Sequence, residues 1–292
     1  MKCFYHNDSD GKCSGFWIHK SLMITDSYAK EFIEIDYRTK FPMKSIYPNE
    51  QVYIVDFSIS PDDMIELLKI TKDVTWIDHH KTSIEKYKDF EPEIRGVRYD
   101  GVAGCMLTYC YLNHMTQKGQ KNIIPFNLLM TEAAPMFTKL IADWDVWKFD
   151  FGDNTRYFQI AFDAYDFSPS SKNWLKFFKK VNFEQEMIHE GVVMAKYRDS
   201  WAKEYIKMGF DTIFEGHKCF AVNLGMANSD YFKSIKQGKY EIFMLFSFDG
   251  DLFKISMYSD SVDVSKIAIK YGGGGHKGAS GFQCKELPFK KS

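Results

Sequence analysis

Residues 51–80 read QVYIVDFSISPDDMIELLKITKDVTWIDHH, and this stretch decides the fold. Gln51–Val55 is a short apolar run that reads as a strand and stops at Asp56. Pro61–Thr71 has apolar residues at helical spacing (Met64, Leu67, Leu68), and Pro61 suits a first helical turn. Val74–Ile77 is a second strand, stopping at Asp78. Strand, helix, strand is a βαβ unit, which requires a parallel sheet.

The same alternation continues on both sides. Toward the start, Lys2–Tyr5 reads as a strand ending at His6, Ser14–Ser27 as a helix and Glu31–Tyr37 as a strand. Toward the end, Ala103–Leu112 and Phe126–Ile141 read as helices, and Phe151–Pro169, rich in Asp, Asn and Ser, as loops. Phe183–Met208 is a long helical stretch suited to bridging two domains. Strand-like runs follow at Cys219–Leu224, Ile242–Phe248 and Phe253–Tyr258, with Asp249-Gly250 as a hairpin signal between the last two. Val264–Tyr271 should be a helix that runs into the glycines Gly272–Gly275.

A chain of 292 residues can build two modest domains. Its net charge of -1 argues against a protein that grips long DNA through many phosphate contacts. Aromatic residues reach 17%, which predicts cores rich in Phe and Tyr. The six cysteines include no CxxC pair, so a zinc ribbon has no support. The opening residues MKCFYHNDSDGK lack the apolar core of a signal peptide, and no run approaches the roughly 20 apolar residues of a membrane span. The expectation is a cytoplasmic protein with reduced thiols.

Acidic residues and histidines fall just after the predicted strands: His6-Asn7-Asp8-Ser9-Asp10-Gly11, then Asp56, then Asp78-His79-His80. Ligands of open parallel sheets bind outside the carboxyl ends of the strands, so these groups can meet in one crevice. A fourth set, Ile141-Ala142-Asp143-Trp144-Asp145, closes an apolar helix. Clustered carboxylates repel one another unless a cation is present, and carboxylate with imidazole suits Mn²⁺ or a similar divalent ion. Two such ions can clamp a phosphate for in-line attack. Taken singly, each piece has a bland reading: Asp-Ser-Asp-Gly as a turn, Asp56 as a helix cap, Asp78-His79-His80 as a solvated strand end. Their common placement at strand ends favours the functional reading.

The run Gly272-Gly273-Gly274-Gly275-His276-Lys277-Gly278-Ala279-Ser280-Gly281 is the second element. Glycines let a backbone approach a ligand closely and aim several N–H groups at one anion, and His276 and Lys277 add donors. A flexible linker is the alternative, but a linker seldom carries His-Lys and then returns to an apolar residue.

These pieces, in this order, resemble the DHH phosphoesterases with a C-terminal DHHA1 domain. The compact first motif and the Asp-Trp-Asp-Val-Trp form of the fourth are most similar to the nanoRNase B and cyclic-nucleotide phosphodiesterase branch. The resemblance implies an α/β architecture: an N-terminal parallel-sheet DHH domain over residues 1–182, a helical linker over 183–208 and a smaller α/β DHHA1 domain over 209–292. It implies two Mn²⁺ ions, with Mg²⁺ tolerated: one on His6, Asp8 and Asp56, the other on Asp10, Asp56, His79 and Asp143, with Asp145 as the other candidate in the fourth motif. Asp78 would orient a histidine, and His80 would contact the phosphate or help the leaving group. Gly273, Gly274, Gly275, His276 and Lys277 would hold the substrate's terminal phosphate or nucleotide.

The activity expected is metal-dependent hydrolysis of very short oligoribonucleotides to nucleoside 5′-monophosphates. Trp144, Trp147, Tyr157 and Phe158 are candidates for stacking bases, against the commoner core role of aromatics. Cyclic nucleotides and 3′-phosphoadenosine 5′-phosphate suit the same chemistry, and a DHH protein without catalysis would be a binding module that had lost metal ligands. The partners implied are short RNA oligonucleotides or small nucleotides, not long DNA or a membrane, and the reading allows a homodimer.

Overall fold

The computed structural model describes the chain except residues 24–29, 38, 116–130, 226, 228, 233, 234, 236 and 237. Two compact units divide it, Met1–Met194 and Ala195–Ser292. The boundary falls inside one 25-residue helix, Phe183–Lys207.

The first unit holds a four-stranded sheet of β1 (Lys2–His6), β2 (Glu31–Ile35), β3 (Val52–Val55) and β4 (Val74–Ile77), in the order β2-β1-β3-β4. All three pairings are parallel, as the βαβ reading requires. Side-chain alternation sends Phe4, Ile54 and Trp76 to one face and Cys3, Tyr5, Val55 and Ile77 to the other. Both faces are covered, so the strands read as continuous apolar runs. On the first face lies α2 (Pro61–Ile70), which buries Met64, Leu67 and Leu68. Ser60 caps it by accepting from the Asp63 N–H, and Pro61 occupies its first turn. The second face packs on Ile18 of α1 (Ser9–Leu22) and Leu107 of α4 (Gly104–Met115), and a short helix α3 (Lys81–Lys86) follows β4. The predicted helix Ser14–Ser27 therefore starts earlier, at Ser9, and its last residues 24–27 lie outside the described residues.

A second core joins α1 and α4 to α5 (Met136–Asp145) and α6 (Asp153–Phe162). It is aromatic: the Phe16 and Trp174 rings stack at 4.4 Å, and those of Phe162 and Phe167 at 4.2 Å. The predicted helix Phe126–Ile141 corresponds to α5, which starts after Pro135; residues 126–130 lie outside the described residues. Helix α6 corrects the loop expected over Phe151–Pro169. It buries Thr155, Phe158, Gln159, Ala161 and Phe162, a stripe at helical spacing that two polar residues interrupt.

After α7 (Phe183–Lys207), which holds the boundary, the second unit continues through β5 (Phe210–Phe214), β6 (His217–Asn223), β7 (Ile242–Phe248), β8 (Phe253–Tyr258), α8 (Val264–Lys270), β9 (Gly274–His276) and β10 (Ala279–Cys284). The sheet order is β5-β6-β7-β8-β10-β9. Only the β6–β7 pair is parallel. Helix α8 buries Val264, Ile267 and Ala268 against Met244, Ile255 and Phe282 of the sheet. The Asp249-Gly250 turn forms as expected: Gly250 takes a φ of +110°, and the Asp249 carboxylate accepts from the N–H groups of Asp251 and Leu252. The glycine run is not a free loop. Gly274–His276 is an exposed edge strand paired with Ala279–Gly281, and an added Cβ at Gly273 would lie 2.1 Å from the Gly281 carbonyl oxygen.

Among the described residues no helix is long and apolar enough to cross a membrane, and all six cysteines are free.

Candidate metal centre

The parallel sheet brings the ends of β1, β3 and β4 to its carboxyl edge, and the end of α5 joins them there. Strand β1 delivers His6 and the turn to Asp8, which caps α1 by accepting from the Gly11 N–H at 2.9 Å. Gly11 is required here because a Cβ would lie 2.2 Å from the His6 carbonyl oxygen. The His6 Nδ1 lies 2.6 Å from Asp8 Oδ2 and 3.8 Å from Asp56 Oδ2. Burial works to raise the Asp8 pKa, but the bond to His6 and its charge outweigh it and hold that carboxyl below its ordinary value.

Asp56 follows β3 in a left-handed conformation, φ +52°, which costs a non-glycine residue on the order of 1 kcal/mol. Its carboxylate is 1% exposed, and among the described residues neither oxygen has a hydrogen-bond partner. Burial first, then the charges of Asp10, Asp8 and Asp145, push its pKa well above the ordinary range. Asp145, at the end of α5, is pushed up to about 9 by burial and by Asp10 and Asp8. His79 points Nε2 into the same space, 3.2 Å from Asp56 Oδ1, 3.3 Å from Asp145 Oδ2 and 3.7 Å from Asp10 Oδ2. That nitrogen and Asp145 Oδ2 are likewise buried without a hydrogen bond.

Asp10 is fully buried and differently held. Its two oxygens accept from the N–H groups of Gly104, at 2.6 Å, and Cys105, at 2.8 Å, at the start of α4. A helix N-terminus stabilises an anion there. Gly104 also lets α4 approach: a Cβ would sit 2.8 Å from Asp56 Cβ and 3.0 Å from Asp10 Oδ2. Sequence reasoning missed this residue, although a glycine opening a helix beside acidic motifs was the available signal.

Asp78 is fully buried and works behind the cluster. Its Oδ1 accepts from the N–H groups of His79 and His80 and lies 2.7 Å from His80 Nδ1. Burial opposes a charged His80, but the Asp78 bond and nearby carboxylates win, so its pKa is raised.

In the fourth motif the two candidate aspartates have different surroundings. Asp143 does not face the cluster; its carboxylate accepts from the N–H groups of Asp150 and Phe151 and from the Thr155 hydroxyl. It braces the loop between α5 and α6, and Asp145 takes the inward place. Gly273, Gly274, Gly275, His276 and Lys277 belong to the other unit, on and beside the exposed strand β9. Of the aromatic candidates, Phe158 is fully buried and Tyr157 packs on the core, whereas Trp147 is 56% exposed and its ring lies 4.9 Å from that of Trp144.

A divalent cation fits what is present. His6, Asp8 and Asp56 converge as one set of potential ligands, Asp10, His79 and Asp145 as a second, and Asp56, His79 and His80 as a third. Buried carboxylate oxygens and an imidazole nitrogen without partners are costly unless a cation satisfies them.

No protein-family model matches the chain. It is 24% identical to oligoribonuclease NrnB of Bacillus subtilis over 95% of its own length and 71% of that protein's. It is also 24% identical to the uncharacterised protein R106 of Acanthamoeba polyphaga mimivirus, over 83% of its own length and 56% of that protein's. Among solved structures, exonuclease RecJ bound to manganese shares the fold, with a TM-score of 0.55 at 11% identity, over 96% of this chain and 84% of that one. The resemblance to the DHH/DHHA1 phosphoesterases holds. With it stands the enzyme class, a metal-dependent phosphoester hydrolase.

Proposed function

We propose that this DHH-type protein is a two-metal, Mn²⁺-dependent phosphodiesterase that hydrolyses very short oligoribonucleotides to nucleoside 5′-monophosphates. One observation carries the reading: Asp56, buried and without a hydrogen-bond partner among the described residues, lies between two groups of potential ligands. His6, Asp8 and Asp56 would hold one ion, and Asp10, Asp56, His79 and Asp145 the other. When bound, such ions provide a nucleophilic water at neutral pH and neutralise charge on the phosphate.

The chain's own groups do the rest. Asp78 fixes the His80 ring through Nδ1, which leaves Nε2 to meet a phosphate oxygen or the leaving group. Asp10 is held in place by the two N–H groups at the start of α4. We assign residues 1–182 to catalysis, 183–208 to the linker and 209–292 to substrate binding, where Gly273–Gly275, His276 and Lys277 would take the substrate's terminal phosphate. The preference for short RNA is supported by the sequence similarity to an oligoribonuclease and by a net charge of -1, too low for long-strand binding.

The test is hydrolysis of a labelled RNA ladder, from a dinucleotide to about a 20-mer, with Mn²⁺ and with EDTA. Rapid Mn²⁺-dependent loss of only the shortest species is expected. Loss at no length would withdraw the oligonucleotide substrate and move the assay to cyclic nucleotides and nucleotide phosphomonoesters.

A further inference from the structure

An aromatic pair stands beside the cluster and is used by none of the chemistry above. Tyr37, two residues beyond β2, stacks its ring on Phe57, with centroids 4.4 Å apart and planes 25° apart. Phe57 is 5% exposed and belongs to the sheet's core, while Tyr37 is 55% exposed. The backing is firm, because the Trp76 indole N–H donates to the Phe57 carbonyl at 2.9 Å. Phe57 is also the residue after Asp56, so one turn of chain sets both the unpartnered carboxylate and the ring beneath Tyr37. The Tyr37 centroid lies 5.7 Å from that of His6 and 6.1 Å from that of His80.

A lone exposed tyrosine needs no explanation. This one differs in two respects: a buried ring supports it, and it adjoins both histidines at the mouth of the cluster. A flat, immobilised aromatic surface next to a phosphate-binding centre suits a nucleobase, since every base has a π-face and stacking tolerates sequence. An aliphatic or sugar phosphate has no π-face to offer.

We propose that Tyr37, braced by Phe57, is a specificity-determining residue that stacks the base of the nucleotide whose phosphate sits at His6 and His80. The proposal rests on the phosphodiesterase reading and names the residue that selects base-bearing phosphates. Tyr37 is a binding residue and takes no part in proton transfer.

The test is calorimetric titration of the full-length, Mn²⁺-loaded protein with AMP and with ribose 5-phosphate, which share a phosphate and differ in the base. The native protein should bind AMP roughly 5- to 150-fold more tightly than ribose 5-phosphate. Tyr37→Ala and Tyr37→Leu should bring AMP down to the sugar phosphate's affinity and leave the latter unchanged, while Tyr37→Phe and Tyr37→Trp keep the preference. Equal affinity for the two ligands in the native protein, or equal weakening of both by Tyr37→Leu, overturns the proposal. An AMP preference lost with Tyr37 beside an uncleaved RNA ladder supports stacking and removes the oligoribonuclease reading instead.

Discussion

The backbone N–H of Gly104 donates to Oδ2 of Asp10 across 2.6 Å, and the absent side chain of Gly104 leaves the space that the Asp56 carboxyl fills. A single methyl group at this position therefore disturbs two carboxylates at once. Gly104→Ala should lower stability by about 1–3 kcal/mol, the usual cost of overpacking, and reduce kcat by more than tenfold. Thermal melts and single-turnover hydrolysis check this. A melt and rate equal to the native protein's would remove Gly104 from the site.

Asp56 gives an opposed pair of effects. Asp56→Asn removes a carboxyl that the metal-free fold must bury beside Asp10, Asp8 and Asp145, while an amide still tolerates the left-handed backbone. In EDTA the variant should melt higher than the native chain; with Mn²⁺ it should bind less metal and lose turnover. Metal content by mass spectrometry and paired melts read both. Full activity with full metal content would end its role between the two ligand groups.

The two aspartates of the fourth motif separate by experiment. Asp143→Asn gives up charge on an acceptor of three hydrogen bonds and should cost about 1–3 kcal/mol of stability, with Mn²⁺ affinity within a few-fold of native. Asp145→Asn should do the reverse, leaving the metal-free melt unharmed and weakening Mn²⁺ binding by at least tenfold. Identical profiles for the two variants would refute the assignment.

Without metal, the protein should lose stability as pH rises. Asp56 and Asp145 have raised pKa values, Asp145 up to about 9, so the folded chain holds protons that the unfolded chain releases near pH 4. Folding then binds protons, and stability falls across roughly pH 4 to 9. His80, also raised, acts in the same sense as pH climbs through its titration. Mn²⁺ should reverse the trend, because metal binding strengthens as the ligands lose protons. Melts in EDTA and in Mn²⁺ from pH 5 to 9 test the sign; parallel curves would contradict it.

His276→Ala, on the exposed strand β9, should raise KM with little change in kcat. A fall confined to kcat would assign the glycine segment to chemistry rather than binding.

The sheet was readable because Val-Asp and Ile-Asp-His-His mark where apolar runs stop, and a parallel sheet forces such stops to one edge. The fourth motif was not. Asp143 and Asp145 are two residues apart on a helix, about 200° around its axis, so only one can face inward, and the choice depends on how α5 is rotated by Phe137, Leu140 and Ile141. Helix α6 was hidden because Thr155 and Gln159 occupy buried positions that periodicity expects to be apolar. The brace that Asp143 gives to residues 150–155 has no sequence signature, since its partners are mostly backbone N–H groups.

The left-handed backbone at Asp56 also limits what mutation can do there. Glycine and asparagine accept that conformation most readily, but one lacks a carboxylate and the other lacks its charge. Glutamate keeps the charge, yet it adds a methylene beside Gly104, where the space is already filled. Each exchange sacrifices backbone ease, ligand chemistry or volume, so this position has no neutral neighbour in sequence space.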